Sequence, residues 1–329
     1  MKRILVIFLL IIASFFLGII SEYFLRPTVV KIKQAVNGEY QVRLSGYKYI
    51  SPLVECEAKE QSEDGELNVL EKHLSSYIKD KVSKNEIKSA SVYYRDLNNG
   101  PWIGVNERAE YAPASLLKVP VLMAFFKEAE DDPTILQKKV EFKNHPNAIS
   151  QNYKPKKLLK FGEKYSIEDL LEQMIVQSDN NALLTLVDAI DIRKINRVSD
   201  DLGVKSPPED SSEDAYISVK SYASFFRVLY NASYLSKDYS EKALEYMTRE
   251  GFYDGIAKGL PKGITVANKF GERKTDEFQQ LHDCGIVYYP KKPYLVCIMT
   301  RGDDFSKLST TIGDISKMIY TSVSSTIRQ

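Results

Sequence analysis

The chain opens with an uncharged apolar run, Ile4 to Ile20, and then turns polar. Beyond residue 66 its apolar positions recur at helical spacing in some stretches and in short β-branched runs in others. A helix is expected over Leu67 to Val82, followed by strands at Ser89 to Leu97 and Trp102 to Val105. Asn98-Asn99-Gly100 joins those strands as a hairpin signal. Val119, Leu122, Phe125 and Phe126 give the next helix, starting near Ala114 just after Pro113, a residue suited to a helix start. Pro120 removes one backbone bond, a small loss within the first turns. Ile167, Leu170, Leu171, Met174 and Ile175 mark another helix, and Ala182 to Ile190 the one after it. Helices dominate as far as Asn231. Three strands follow, Ile264 to Glu272, Leu281 to Tyr289 and Tyr294 to Thr300, the last two linked through Pro290-Lys291-Lys292-Pro293, and a closing helix spans Phe305 to Ser325.

Two strands early and three late, with helices between, read as α+β rather than alternating βαβ units. The expected architecture is a five-stranded antiparallel sheet flanked by the terminal helices. An all-helical subdomain is inserted between its second and third strands.

Lys2 and Arg3 precede the apolar run, which places the N-terminus inside and the bulk of the chain outside. Neither a small-x-small cleavage site nor a lipobox cysteine follows, so residues 1–25 read as an uncleaved membrane anchor, with secretion after signal cleavage as the alternative. Residues 26–65, with Pro27, Pro52, the acidic run from Glu55 to Glu66 and short strands such as Tyr40 to Leu44, read as a membrane-proximal spacer. Residues 66–329 form the main domain. Its lysine-rich stretch Lys138 to Lys164 is expected to be a solvated connection in the helical lobe.

Composition narrows the field. Forty-five basic against forty-four acidic residues leave a net charge of +1, which makes no case for nucleic acid. Cys56, Cys284 and Cys297 are an odd number without metal-ligand spacing, so disulfide scaffolding is not expected, and Cys284 and Cys297 read as small core residues in apolar strands. His73, His145 and His282 are scattered, and His282, opening a strand, reads as structural. No metal or cofactor motif is present.

Three short motifs carry the chemistry. In Ser115-Leu116-Leu117-Lys118 the hydroxyl and the amine stand three residues apart, on one face of a helix. Serine needs a neighbouring group to take its proton as it attacks a carbonyl carbon, and Lys118 is placed for that. Ser178-Asp179-Asn180 lies on the turn between two helices. Asp179 suits a helix cap, leaving Ser178 to relay a proton and Asn180 to hold Lys118 and a substrate amide. Lys269-Phe270-Gly271 lies on a β-branched strand, where Gly271 lets a substrate backbone approach closely.

In this order the motifs resemble the SxxK, SDN and KTG set of class A β-lactamases and penicillin-binding proteins. The blocks Tyr111 to Pro120, Ser178 to Ala182, Val266 to Glu272 and His282 to Tyr288 extend the resemblance, which covers roughly residues 66 to 329. It implies a serine hydrolase with the fold drawn above and its site at the junction of sheet and helical lobe. Ser115 would be acylated, with Lys118 as its base or part of the proton path. Ser178 would pass a proton to the leaving amine, supported by Lys269, which would also attract a substrate carboxylate. Asn180, Gly271, Glu272 and Tyr111 would bind substrate, and the backbone N–H groups of Ser115 and Glu272 would form an oxyanion hole. The implied partner is a small-molecule β-lactam or a peptidoglycan stem peptide.

Two departures bear on substrate. Phe270 stands where the family has a hydroxyl residue. The stretch Gly203 to Ser218 lacks an ExxLN glutamate, and its carboxylates Glu209, Asp210, Glu213 and Asp214 read as a solvated acidic loop. Slow turnover or peptidase action is therefore expected over rapid β-lactam hydrolysis. The alternative is a catalytically impaired module that binds the cell wall or a partner.

Overall fold

The computed structural model describes residues 31–36, 39–57, 65–98, 100–146, 151–205 and 215–326. The apolar run at 4–20 and the acidic stretch 209–214 lie outside them. Among the described residues no helix is long and apolar enough to cross a membrane.

A small antiparallel sheet comes first, β1 (Lys31–Val36), β2 (Glu39–Leu44) and β3 (Leu53–Glu57). After it come α1 (Gly65–Ser83), β4 (Ser89–Asp96) and β5 (Trp102–Val105). The helical lobe holds α2 (Lys118–Asp131), α3 (Ile167–Val176), α4 (Asn180–Ala189), α5 (Ile192–Asp201), α6 (Val219–Tyr230) and α7 (Lys237–Thr248). The chain then returns to the sheet as β6 (Val266–Lys274), β7 (Gln279–Val287) and β8 (Tyr294–Gly302), and ends in α8 (Phe305–Thr326). The main sheet has the order β6-β7-β8-β4-β5 and is antiparallel throughout. This is the expected α+β architecture, with the helical lobe inserted between the second and third strands of the sheet.

Each face of the sheet covers its own apolar layer. Leu74 and Ile78 of α1 and Ile312, Ile315 and Ile319 of α8 pack with Val92, Val296 and Ile298 on one side. Phe125, Phe126, Met174 and Phe226 of the lobe join Tyr93, Leu295 and Met299 on the other. Burying each such side chain contributes roughly 1.5–3 kcal/mol, and the alternation along each strand fixes which layer a residue joins. Helix starts follow local chemistry. Ser166 and Asp169 form a reciprocal capping box on α3, and Ser218 with Ser221 does the same on α6.

Two features depart from the sequence reading. Residues 43–51, expected to belong to a spacer, dock on the lobe. Successive N–H groups of Lys48, Tyr49 and Ile50 donate to the Glu241 carboxylate at 2.8–3.1 Å, and Ser51 N donates to Tyr230 O at 2.8 Å. The partner, Glu241, is almost two hundred residues away in the chain, so no local pattern points to it. Cys284 and Cys297 are buried in the core as expected, but they face each other across β7 and β8 and are joined as a disulfide. The register decides this, and cysteine spacing alone does not reveal it.

Candidate active site

Ser115 sits in a single 3-10 turn, Ala114–Leu117, that runs directly into α2 at Lys118. The expected helix start near Ala114 is thus a tighter turn. Ala114 itself takes a left-handed φ of 50°, an unfavourable conformation for a residue with a Cβ. The surroundings hold it there. His282 Nδ1 accepts from Thr300 N at 3.3 Å, so Nε2 carries the proton and donates to Ala112 O at 3.0 Å. Burial depresses the His282 pKa to about 4, which keeps the ring neutral and this bond in place. From the other side, the Tyr222 hydroxyl on α6 donates to Leu116 O at 2.9 Å. The Ser115 turn is clamped between sheet and lobe, and Ser115 keeps partial access to solvent.

Lys118 is fully buried. Its Nζ lies 2.6 Å from Ser178 O, 2.7 Å from Asn180 Oδ1, 2.9 Å from Ser115 Oγ and 3.0 Å from Ser178 Oγ. Burial, and after it the neighbouring Lys269 charge, hold its pKa well below the ordinary lysine range, against the opposing pull of Asp179, Glu250 and Glu272. A neutral amine has two N–H bonds and one lone pair. The carbonyl of Ser178 and the amide oxygen of Asn180 can only accept, so they take both N–H bonds. The lone pair is left facing the hydroxyls, and a buried neutral amine beside a serine hydroxyl can accept its proton.

The SDN turn is built as expected. Asp179 caps α4, accepting from Asn181 N at 2.8 Å and Ala182 N at 3.1 Å, and also accepts from Gln173 Nε2 at 3.0 Å. With Asp179 fixed, Ser178 adopts a φ of 52° and turns both its hydroxyl and its carbonyl to Lys118. Strained backbone thus lies beside Ser115 and at Ser178 itself, a pattern often met where function overrides local preference.

The third motif lies on β6, an edge strand of the main sheet. Lys269 is fully buried and ion-paired with Glu250, a residue just past α7 that the sequence did not single out. Glu250 Oε2 also accepts from Phe270 N at 3.2 Å. Burial raises the Glu250 carboxyl above its ordinary value and Lys269 opposes the rise. The only signal for Glu250 was a charged residue at the end of an amphipathic helix, which ordinarily means a solvated one.

Gly271 faces the nucleophile turn. A Cβ there would lie 2.8 Å from Pro113 O and 3.3 Å from Leu116 N. Gly271→Ala is therefore expected to push β6 away from Ser115 and slow its acylation about 100-fold, since misplacements near 1 Å cost that much. Acylation rates followed by intact mass, with circular dichroism to confirm folding, check this.

Glu272 lies half-buried beyond Gly271, and its carboxylate accepts from Asn152 Nδ2 at 2.9 Å and Tyr153 N at 3.0 Å. Gln151 Nε2 in turn donates to Ser178 O at 2.8 Å. Residues 151–153, expected to belong to a solvated connection, thus bridge the SDN turn and β6. Tyr111 is buried, with its hydroxyl 3.1 Å from Ser91 Oγ and its ring edge-on to His282. It supports the chain entering the nucleophile turn. The structure therefore gathers Ser115, Lys118, Ser178 and Asn180 around one amine, with Lys269, Gly271 and Glu272 along the adjoining strand, and sets the Tyr111 side chain in the packing behind them.

A family model described as the beta-lactamase enzyme family matches residues 72–323, and the chain belongs to that family of serine hydrolases. Among solved structures, a mutant of PBP-A captured as its acyl-enzyme with penicillin G is 23% identical, with a TM-score of 0.67 over 79% of this chain and 97% of its own. The TLA-1 extended-spectrum β-lactamase is 20% identical, with a TM-score of 0.67 over 77% of this chain and 99% of its own. A class A β-lactamase from Bacteroides cellulosilyticus is 18% identical, with a TM-score of 0.67 over 78% of this chain and 99% of its own. At these identities the likeness is one of fold. No curated protein sequence matches the chain.

Proposed function

We propose that this chain transfers acyl groups through Ser115, with a β-lactam or a D-alanyl peptide as donor. The observation that carries the reading is the fully buried amine of Lys118, 2.9 Å from Ser115 Oγ, with both of its N–H bonds taken by Ser178 O and Asn180 Oδ1. In the first step Lys118 takes the Ser115 proton while Oγ bonds to the donor carbonyl carbon. The resulting oxyanion is held by the N–H groups of Ser115 and Glu272. The proton then passes from Lys118 through the Ser178 hydroxyl, 3.0 Å away, to the departing nitrogen as its bond to carbon breaks. Water or an amine afterwards releases the acyl group from Ser115. The stretch Gly203 to Ser218 carries no ExxLN glutamate to activate that water, which favours slow release. The reading extends to location, with residues 4–20 as a membrane anchor and the catalytic domain outside the cell, supported by the apolar run behind Lys2 and Arg3.

Intact mass of the full-length protein mixed with benzylpenicillin and with a cephalosporin, against a Ser115→Ala control, tests the reaction. An adduct that requires Ser115 supports it, and the decay of that adduct separates turnover from stable penicillin binding. If no acylating reagent forms an adduct, the site is a binding module that kept the motifs without the chemistry.

A further inference from the structure

The charges around the leaving-group side of Ser115 do not suit an anionic substrate. A subsite for a carboxylate needs an available cation and convergent hydrogen-bond donors. Lys118 serves as the neutral proton acceptor. Lys269 is fully buried with its ammonium against Glu250, so a substrate carboxylate could reach it only by sharing it with a second, internal carboxylate. Both groups are desolvated, and two like charges converging there would repel strongly.

The strand offers no substitute. Phe270 brings no hydroxyl, and its ring is buried against Phe252, with centroids 4.2 Å apart, and against Tyr153 at 5.5 Å. The Asn268 side-chain amide donates to Asp283 at 2.9 Å, on a carboxylate that also accepts from Ile256 N at 2.7 Å. At the lip of the site Glu272 adds another negative charge. Its partners among the described residues, the Asn152 amide and the Tyr153 N–H, are both neutral and leave that charge uncompensated.

We infer that this site takes acyl donors whose leaving group is neutral or cationic beside the scissile bond, and discriminates against those carrying a carboxylate there. The inference rests on the acyl-Ser115 reading but departs from its donors, since penicillins, cephalosporins and D-alanyl peptides with a free C-terminus carry that carboxylate and are expected to react slowly. It favours amides, esters or thioesters in which the carboxylate is absent, amidated or esterified. Glu272 and Phe270 are its specificity-determining residues. Glu272 repels the anion, and Phe270 withholds the hydroxyl that would bind it.

Two thioesters that deliver the same acyl group test this, benzoylglycyl-thioglycolate, which carries the carboxylate, and benzoylglycyl-thioglycolamide, which does not. With either, the Ser115 Oγ–carbon bond forms, the carbon–sulfur bond breaks and the serine proton ends on the departing thiol, so the adduct mass is identical. Rates are measured on the full-length protein and corrected for each donor's rate with hydroxide. The amide is expected to acylate Ser115 at least about ten-fold faster than the acid. Glu272→Gln and Phe270→Thr are each expected to shift that ratio several-fold toward the acid. An acid donor that reacts as fast as the amide or faster overturns the inference, and so does a ratio that neither substitution moves. A carboxylate-free fluorophosphonate separates the two levels of the argument. Labelling of Ser115 by the fluorophosphonate with no adduct from the amide thioester rejects the inference alone, whereas no labelling by any of the three rejects the acyl-serine reading itself.

Discussion

Lys118→Ala is expected to slow acylation of Ser115 by about 1000-fold or more, near the upper range for loss of a general base, while the far-UV circular dichroism stays that of the parent. The side chain is fully buried and meets Ser115, Ser178 and Asn180, so its removal takes away the proton acceptor and releases both motifs it joins. The pH dependence follows from the same burial. Only the neutral amine accepts a proton, so acylation by the parent protein should rise as pH passes the depressed pKa of Lys118, and this rising limb should vanish in the variant. Stability has the same sign. The unfolded chain holds the Lys118 proton up to about pH 10.4, the folded chain loses it well below that, and folding through this window therefore becomes more favourable as pH rises. Undiminished labelling of Lys118→Ala by a β-lactam or a fluorophosphonate would remove Lys118 from the mechanism.

Glu250→Ala is expected to give the largest loss of stability at the site. It leaves the Lys269 ammonium buried without its counter-charge and Phe270 N without its acceptor. Breaking one side of a buried pair costs roughly 3–5 kcal/mol, which for a domain of this size corresponds to roughly 5–10 °C in Tm. Replacing both partners separates the buried charge from the lost packing. A Glu250→Leu, Lys269→Met double variant should recover much of the Tm, because the desolvated charges go together, yet it should acylate slowly, because Lys118 loses the neighbouring charge that helps depress its pKa. Thermal unfolding of the parent, of Glu250→Leu and Lys269→Met singly, and of the double variant forms the required cycle. A double variant no more stable than Glu250→Ala would show that the pair's contribution is packing rather than charge.

Much of the architecture was legible before any coordinate. The strand at Trp102–Val105 and the closing helix from Phe305 follow directly from the apolar pattern, and Asp179 has the chemistry of a cap and acts as one. The three motifs were also readable, since each pairs residue types that acyl transfer requires. What escaped were contacts made by residues whose local setting is ordinary. Glu250 closes a helical stretch as any solvated acid might, and Gln151, Asn152 and Tyr153 lie in a polar, lysine-rich loop. Tyr111 heads the nucleophile block and so resembles a site residue, although its hydroxyl turns to Ser91.

The sequence by itself determined the secondary elements, their α+β order and the placing of Ser115 and Lys118 on one face, because apolar periodicity and a three-residue spacing are properties of the local chain. The tertiary structure alone decided that Lys118 is fully buried, with its pKa held well below the ordinary lysine range, and that Lys269 is paired with Glu250. It also decided that Glu272 sets a carboxylate at the lip of the site and that Cys284 meets Cys297. Each of these depends on distance through space between residues far apart in the chain or on different strands, and on how far water is excluded from them, and neither quantity is encoded in any local pattern of residues.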